Sequence, residues 1–372
     1  MDNPNSSFAP EIQTTENCRY CLMCRHVCPV GHVTCIETFT PHGWALMIAS
    51  ERRGLLDWNA ESVDKLYACA DCGVCRAHCL TDQPLPDAIV AARNLVVQAG
   101  LAPPQVYELA ECLRTWGTPW GAPLSEPAQA QGNVALFVGD EAYHRWPQAI
   151  DAARQLLDAI HLAPVPIGVG RNSGLVASSL GLRDVAQDLA RATLQELSQV
   201  GAQELLALTP GDFYAFTQLY RERLDLPLPA EIAVIDVVTL LAERLTAGEL
   251  TFRPFTLDAP WAYMDPPHAV RVDPRRHEAP RQLLAAILDS PPRELFWRRE
   301  RAHPVGSLAL SWTHPHVAEH LTRARLEDAR RAGIRYLFSE DPGALAVLAP
   351  HAQSYGVEIR GLYEFLADRL HL

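Results

Sequence analysis

Apolar and polar positions divide the chain into a helical amino-terminal part and a later part in which short apolar runs alternate with amphipathic stretches. In the first part, apolar residues recur at helical spacing over 44–53, 59–69 and 86–100. Gly54 follows the first stretch and Asn59 opens the second, as expected for a helix stop and a helix cap. The pattern therefore predicts three helices before residue 101.

Beyond residue 132 the pattern changes to alternating strands and helices. Strands are predicted at 134–138, 204–208 and 232–235, and helices at 147–160 and 237–245. This alternation is typical of α/β units. Two proline-rich stretches, one with several glycines, separate the parts and are interpreted as linkers.

The predicted fold class is α+β multidomain, with a helical domain followed by two pseudo-repeated α/β lobes. Its parts are an amino-terminal tail at 1–16, a helical domain at 17–112, a linker at 113–132, a first lobe at 133–252, a second linker at 253–267 and a second lobe at 268–372.

The two lobes are predicted to be copies of one unit, because a shift of 132 residues aligns many identical positions. The carboxy-terminal segments 240–245 and 365–370 also match, at a slightly different offset. The identities at the constant shift include Gly174 with Gly306, Val185 with Val317, Leu189 with Leu321, Gly201 with Gly333, and 210–211 with 342–343.

Composition excludes several classes of protein. The chain has 372 residues, of which 48% are hydrophobic and 20% charged, as in soluble globular proteins. Its net charge of -12 argues against a nucleic-acid partner. The most apolar stretch, 232–245, contains three charged residues, so no transmembrane segment is expected. Cysteines that bind metal clusters as thiolates need a reducing, metal-supplied compartment, so a cytoplasmic location is expected.

Eight of the ten cysteines form two copies of one spacing. Three cysteines that follow one another every three residues can each bind one iron of the same cubane cluster. The fourth cysteine is displaced by one more residue and therefore faces the other cluster. This spacing predicts two 4Fe-4S clusters with crossed ligands. The first is assigned to Cys18, Cys21, Cys24 and Cys79, and the second to Cys69, Cys72, Cys75 and Cys28.

Zinc and disulfides are the alternative explanations of the cysteines. Zinc sites pair two Cys-x2-Cys knuckles and have no use for a third cysteine at the same interval. Disulfide frameworks belong to short secreted chains, and this chain is long. Both alternatives are disfavoured relative to iron–sulfur clusters.

The two runs, 18–29 and 69–79, together with the duplicated lobes, resemble the heterodisulfide reductase and glycolate oxidase iron-sulfur subunit family over essentially the whole chain. One position departs from the family pattern, because Leu80 stands where a proline often follows the fourth cysteine. The resemblance implies a ferredoxin-like two-cluster domain followed by lobes of the type that carry Cys-Cys-Gly elements.

The lobes have lost the cysteines that this resemblance implies. The first element of each lobe is replaced by 172–174 and 304–306, and the second by 209–212 and 341–344. Glycines and prolines remain, but no cysteine follows Cys112. A third thiolate-ligated centre or dithiol chemistry therefore cannot be built in the lobes.

The expected function is that of a non-catalytic electron-transfer subunit of an oxidoreductase complex. The resemblance implies an FAD-containing dehydrogenase of the 2-hydroxyacid, glycolate or glycerol-phosphate type as donor. It also implies a quinone or a membrane-anchored acceptor protein downstream, which would place the chain at the inner face of the membrane through a partner. The lobes would then be docking surfaces for the flavin subunit.

Two alternatives stay open. The chain could be a scaffold and relay in a heterodisulfide-reductase-like or electron-bifurcating assembly. The other alternative is that the chain is a stand-alone enzyme that uses the lobe carboxylates Asp140, Asp212 and Asp341. No residue is assigned a catalytic role.

Several further residues near the cysteine runs carry predictions. Cys35 is interpreted as a buried apolar residue and Cys112 as a packing residue. Arg25 and Arg76 either offset cluster charge or form surface ion pairs. His26 and His78 are expected to be exposed or hydrogen-bonded rather than proton carriers.

Overall fold

The computed structural model describes residues 10–121, 130–268 and 272–371. Its amino-terminal part is helical over the described residues 10–121, with short 3-10 segments at Pro10–Gln13, Met23–Val27 and Glu37–Phe39. The α-helices are α1 (Thr14–Asn17), α2 (Pro29–Thr34), α3 (Pro41–Arg52), α4 (Ala60–Tyr67), α5 (Val74–Ala77), α6 (Leu85–Gln98) and α7 (Pro104–Trp116).

The three predicted helices before residue 101 are confirmed as α3, α4 and α6. Asn59 caps α4, because its side chain accepts hydrogen bonds from the backbone N–H groups of Glu61 and Ser62. Helix α3 begins earlier than predicted, because Thr40 caps it and Pro41 fits its first turn. Helix α7 runs to Trp116, beyond the predicted start of the linker.

The first lobe is a four-stranded parallel sheet flanked by helices. Its strands are β1 (Val134–Gly139), β2 (Val165–Val169), β3 (Glu204–Ala207) and β4 (Ala233–Asp236), in the order β2-β1-β3-β4. Its α-helices are α8 (Asp140–Arg145), α9 (Gln148–Ala159), α10 (Leu175–Ser179), α11 (Arg183–Val200), α12 (Pro210–Tyr214), α13 (Tyr220–Glu222) and α14 (Val237–Thr246), with a π-helical turn at Ala215–Leu219.

The second lobe is built on a three-stranded parallel sheet. Its strands are β5 (Trp261–Tyr263), β6 (Tyr336–Ser339) and β7 (Glu358–Gly361), and its α-helices are α15 (Ala279–Ala285), α16 (Leu310–Thr313), α17 (Pro315–Arg331), α18 (Pro342–Ala352) and α19 (Leu362–Ala367). Strand β5 lies inside 253–267, which the sequence suggests as a linker.

Strand register agrees with the predicted repeat of the lobes. Glu204 of β3 lies between Val134 and Ala233 of its neighbouring strands. Tyr336 of β6, at the 132-residue shift, lies between Trp261 and Glu358. Strands β5-β6-β7 therefore correspond to β1-β3-β4, and β2 is an addition at the edge of the first sheet.

The helical part packs against both lobes. The Tyr67 hydroxyl donates to the Leu180 carbonyl oxygen at 3.1 Å, and the Thr313 hydroxyl donates to the Tyr67 carbonyl oxygen at 3.1 Å. The buried Arg93 guanidinium donates to the carbonyl oxygen of Ser179 at 2.6 Å. One buried apolar cluster runs from the helical part into both lobes. No helix among the described residues is long and apolar enough to cross a membrane.

Candidate iron–sulfur sites

The two cysteine runs share the positions at which the backbone adopts a positive φ. In each, the second and fourth residues after the first cysteine have a positive φ, which turns the chain round the sulfur atoms. These residues are Tyr20 (51°), Leu22 (66°), Asp71 (47°) and Gly73 (74°). The backbone N–H of Tyr20 points at Cys18 Sγ and that of Asp71 at Cys69 Sγ, both at 3.4 Å. Such hydrogen bonds favour a thiolate.

The structure brings the first three cysteines of each run close to the fourth cysteine of the other. Burial, with the nearby Cys18, Cys21 and Cys79, raises the pKa of the Cys24 thiol to about 11. Cys28 lies with Cys69, Cys72 and Cys75 in the lining of one cavity. This is the grouping that the spacing predicts, although the ligand roles themselves stay a prediction.

The two sulfur sets differ in exposure. In the first set Cys21 is exposed and the others are half-buried. In the second set three cysteines are buried and Cys69 is half-buried. The cavity of the second set is also lined by Trp44 and Pro86, so that site is enclosed by α3 and the start of α6. One site therefore lies at the surface and the other inside the protein.

The residues present fit two 4Fe-4S clusters. Each set offers four sulfur donors, and backbone N–H groups point at several of them, including Gly31 N–H at Cys28 and Gln83 N–H at Cys79, both at 3.4 Å. Among the described residues, no group of three or more His, Cys, Asp or Glu side chains has the spacing for a single metal ion. In a cubane each thiolate caps a different iron, so the four sulfurs stand further apart than the ligands of one ion.

The charged residues near the runs form ion pairs. Arg25 pairs with Glu37 at 2.8 Å, with both side chains about half exposed. Arg76 lies 3.3 Å from both Asp82 and Asp87. Both arginines therefore have carboxylate partners, which favours the surface ion-pair interpretation.

The two histidines agree with the prediction made for them, whereas Cys35 does not. His78 Nδ1 lies 3.1 Å from the Val74 carbonyl oxygen and donates to it, and His26 is exposed, as expected. Cys112 is half-buried, and its thiol donates to the Thr118 carbonyl oxygen at 3.4 Å. The prediction that Cys35 is buried is wrong: it is exposed at the end of α2, where its φ is 55°.

Arg223 holds the second cysteine run against the first lobe, and the sequence did not point to it. Its buried guanidinium forms two hydrogen bonds with Asp71, at 2.7 and 2.9 Å, and another with Asp87 at 2.8 Å. Burial opposes ionisation of Asp71, but the charge of Arg223 outweighs it and holds the pKa of Asp71 below its usual range. The signal in the sequence was Asp71, an acidic residue inside a cysteine run, which would need a cationic partner if buried.

The three lobe aspartates converge with Glu141, which sequence analysis missed. Burial, with repulsion from Asp212, raises the pKa of Asp140 to about 7. Burial also raises the pKa of Asp212 to about 6, and the pKa values of Glu141 and Asp341 are raised for the same reason. Burial favours the protonated form of a carboxyl, and the charge of Arg145, which lowers the pKa values of Glu141 and Asp341, does not offset it. The cluster is therefore a set of acids with elevated pKa values.

Neighbouring polar side chains donate hydrogen bonds to these carboxyls. The Asn172 amide donates to both oxygens of Asp140, at 3.0 and 3.2 Å. The Thr209 hydroxyl donates to Asp212 at 2.7 Å. The carboxylate of Glu141 fills the space beside Gly343 where a side chain would otherwise stand.

The chain is similar to a known protein in part of its sequence and to a solved structure in its fold. No family model matches the chain. The chain is 26% identical over 148 residues to a CoB–CoM heterodisulfide reductase iron-sulfur subunit of Methanopyrus kandleri, a match that covers 40% of this chain and 72% of that protein. Its fold is similar to that of a hypothetical protein from Helicobacter pylori, with a TM-score of 0.55 and 10% identity over 88% of this chain and 67% of the other. The sequence match supports the family resemblance, and the structural match shows the fold alone.

Proposed function

We propose that the chain is an iron–sulfur electron-transfer subunit that holds two 4Fe-4S clusters. The observation that carries this proposal is the convergence of eight cysteines into two sulfur sets, each of which combines three cysteines of one run with the fourth of the other. The similarity to a heterodisulfide reductase iron-sulfur subunit supports the same class.

The chain's own residues position and separate the two sites. Bound clusters would accept and donate single electrons. The left-handed residues of each run turn backbone N–H groups toward sulfur, which stabilises thiolate ligands and the negative charge of a reduced centre. The exposed first set is accessible to partners, whereas the buried second set lies inside the protein.

The partners belong to the same proposal. An FAD-containing dehydrogenase of the 2-hydroxyacid, glycolate or glycerol-phosphate type would supply electrons, and a quinone or membrane-anchored acceptor would remove them. The complex would be cytoplasmic, at the inner face of the membrane. A second candidate, a relay and scaffold in a heterodisulfide-reductase-like assembly, is favoured by the name of the similar protein.

Paired cysteine substitutions test the crossed ligand sets. Anaerobically purified protein should contain about eight irons and about eight sulfides, with two magnetically coupled centres in electron spin resonance. The double variant Cys28→Ser, Cys72→Ser removes two ligands of one set and should retain about four irons. The double variant Cys24→Ser, Cys28→Ser removes one ligand from each set and should damage both centres.

The control is Cys35→Ser, which changes an exposed thiol outside both sets and should leave the iron content unchanged. If each run instead held its own cluster, the two double variants would exchange outcomes. Cys28→Ser, Cys72→Ser would then damage both centres, and Cys24→Ser, Cys28→Ser would retain one. Zinc in place of iron would overturn the proposed function.

Co-purification separates the two candidate functions. A bound flavoprotein that reduces the clusters when a 2-hydroxyacid is added supports the dehydrogenase complex. A complex that contains other proteins but gives no such reduction supports the heterodisulfide-reductase-like assembly.

A further inference from the structure

Two exposed apolar side chains flank the surface sulfur set. Leu80 directly follows Cys79 and is 86% exposed, and Met23 directly precedes Cys24 and is 46% exposed. Cys24 and Cys79 belong to the same sulfur set, in which Cys21 is itself exposed. Apolar surface therefore lies next to two members of the most accessible sulfur site.

Packing within the chain does not explain why an apolar residue stands at position 80. The equivalent residue of the other run, Pro29, opens α2 and is buried. Leu80 instead lies in a turn between α5 and α6, with most of its side chain in water. Scattered exposed leucines are ordinary on protein surfaces. An almost fully exposed leucine next to a candidate ligand is different, because it widens the apolar area at a redox site.

Arg19 directly follows Cys18, another member of this sulfur set, and adds a cation there. It is exposed and makes no ion pair with any described residue, unlike Arg25 and Arg76. The nearby carboxylates Glu37 and Asp82 are engaged by those two arginines. Arginine is enriched at protein interfaces, where it pairs with carboxylates of the partner.

We propose that the collar, defined as Arg19, Cys21, Met23 and Leu80, is the docking surface for a redox partner protein. The partner would present an apolar patch to Met23 and Leu80 and a carboxylate to Arg19. One electron would pass from the reduced partner to the oxidised cluster that Cys18, Cys21, Cys24 and Cys79 would hold, and no covalent bond would form or break. Electron-transfer encounters use small interfaces, below about 1,200 Å².

This inference rests on the proposed function and refines it, because it places the docking face on the cysteine runs rather than on the lobes. The test uses the full-length protein with both clusters. Fully reduced flavodoxin, a small acidic flavoprotein, is the electron donor, and cluster bleaching is followed by anaerobic stopped-flow absorbance. Variants Leu80→Asp, Met23→Asp and Arg19→Glu each place a negative charge in the collar.

The matched control is Leu101→Asp. Leu101 is 45% exposed, almost the same as Met23, but it follows the far end of α6, a helix about 20 Å long. Each collar variant should lower the second-order rate constant about tenfold, because it sets like charges against each other in the encounter, whereas Leu101→Asp should change it little. Raising the salt concentration should reduce the difference in rate constant between Arg19→Glu and the wild type, because salt screens the charge at residue 19.

Iron content and spin resonance distinguish the two ways to fail. If the wild type holds no iron–sulfur cluster, the proposed function fails, and the collar fails with it. If all variants keep full iron and the wild-type spectra but are reduced at the wild-type rate, the docking surface is wrong and the electron-transfer function stands. If Leu101→Asp slows reduction as much as the collar variants, the effect is one of overall charge and the collar is likewise overturned.

Discussion

Individual residues show how the first lobe accommodates buried carboxyl groups. Asn172 and Thr209 both donate hydrogen bonds to buried carboxyls. A buried carboxyl without such donors would leave acceptor atoms unpaired at a cost of about 1–3 kcal/mol each. Side-chain hydrogen bonds therefore stabilise the buried carboxyls of this region.

Asp140→Asn should weaken the pH dependence of stability. The pKa of Asp140 is raised to about 7 from an ordinary value of 3.8, so the folded state binds the proton more tightly than the unfolded state. The stability that this carboxyl contributes is therefore greatest when the pH is below its pKa in the unfolded state. As the pH rises, this contribution falls by about 1.4 kcal/mol per pH unit until the pH passes the pKa of the folded state. Thermal unfolding of the holoprotein between pH 5.5 and 7.5 should show a smaller decrease for the variant.

The control for this prediction is Asp151→Asn, which changes an exposed carboxyl on α9. It should leave the pH dependence as in the wild type. An equal slope for Asp140→Asn and wild type between pH 5.5 and 7 would contradict the prediction.

At the scale of elements, retained glycines explain part of the duplicated sequence. Gly174 and Gly306 have φ values of 98° and 85°, and a Cβ at either would collide with the carbonyl oxygen of Ala186 or Ala318. These pairs are related by the 132-residue shift. The glycines are needed because a turn meets the helix backbone at these positions.

Gly306→Ala should destabilise the second lobe substantially. The added methyl group overlaps the Ala318 carbonyl oxygen at the start of α17, which costs about 1–3 kcal/mol in addition to the backbone strain. Gly248→Ala is the control, because its φ of 77° is similar but nothing lies within 4 Å of the added group. The melting temperature should fall further for Gly306→Ala than for Gly248→Ala, and equal shifts would refute the steric explanation.

Elements with strong local signals could be predicted, and those whose signals are masked by proline or shortness could not. Helix α4 was recognisable from its cap at Asn59 and its apolar face. Strand β2 was missed because Pro166 and Gly168 are typical turn residues; at the sheet edge, a proline without an N–H is tolerated. Strand β5 has three residues in a proline-rich segment, and parallel pairing with β6 defines it.

At the scale of the whole molecule, the sequence predicted the parts better than their contacts. The two cysteine sets and the duplicated lobes follow from spacing and repetition. The contacts of Arg93 with backbone carbonyls, and of Arg223 with Asp71, join residues far apart in the chain and leave no periodic signal. Glu141 was overlooked because it also lies near residues far away in the chain, Asp212 and Asp341.

Arg223→Leu should loosen the helical part from the first lobe. Removing this guanidinium leaves Asp71 buried and unpaired, a loss of about 3–5 kcal/mol for a broken buried ion pair. The melting temperature of the holoprotein should fall clearly, whereas Arg221→Leu, at a 65% exposed side chain two residues earlier, should cause little change. A similar melting temperature for both variants would show that the ion pair with Asp71 does not stabilise the fold.

The exchange of the fourth cysteine between the two runs has a consequence during synthesis. A nascent chain that has emerged only through Cys28 carries three sulfurs of one set and one of the other. Neither set is complete until the second run has left the ribosome and the intervening helices have folded back. On the proposed assignment, cofactor loading must therefore follow translation of most of the helical part, and a truncation before Cys69 would deprive both sites at once.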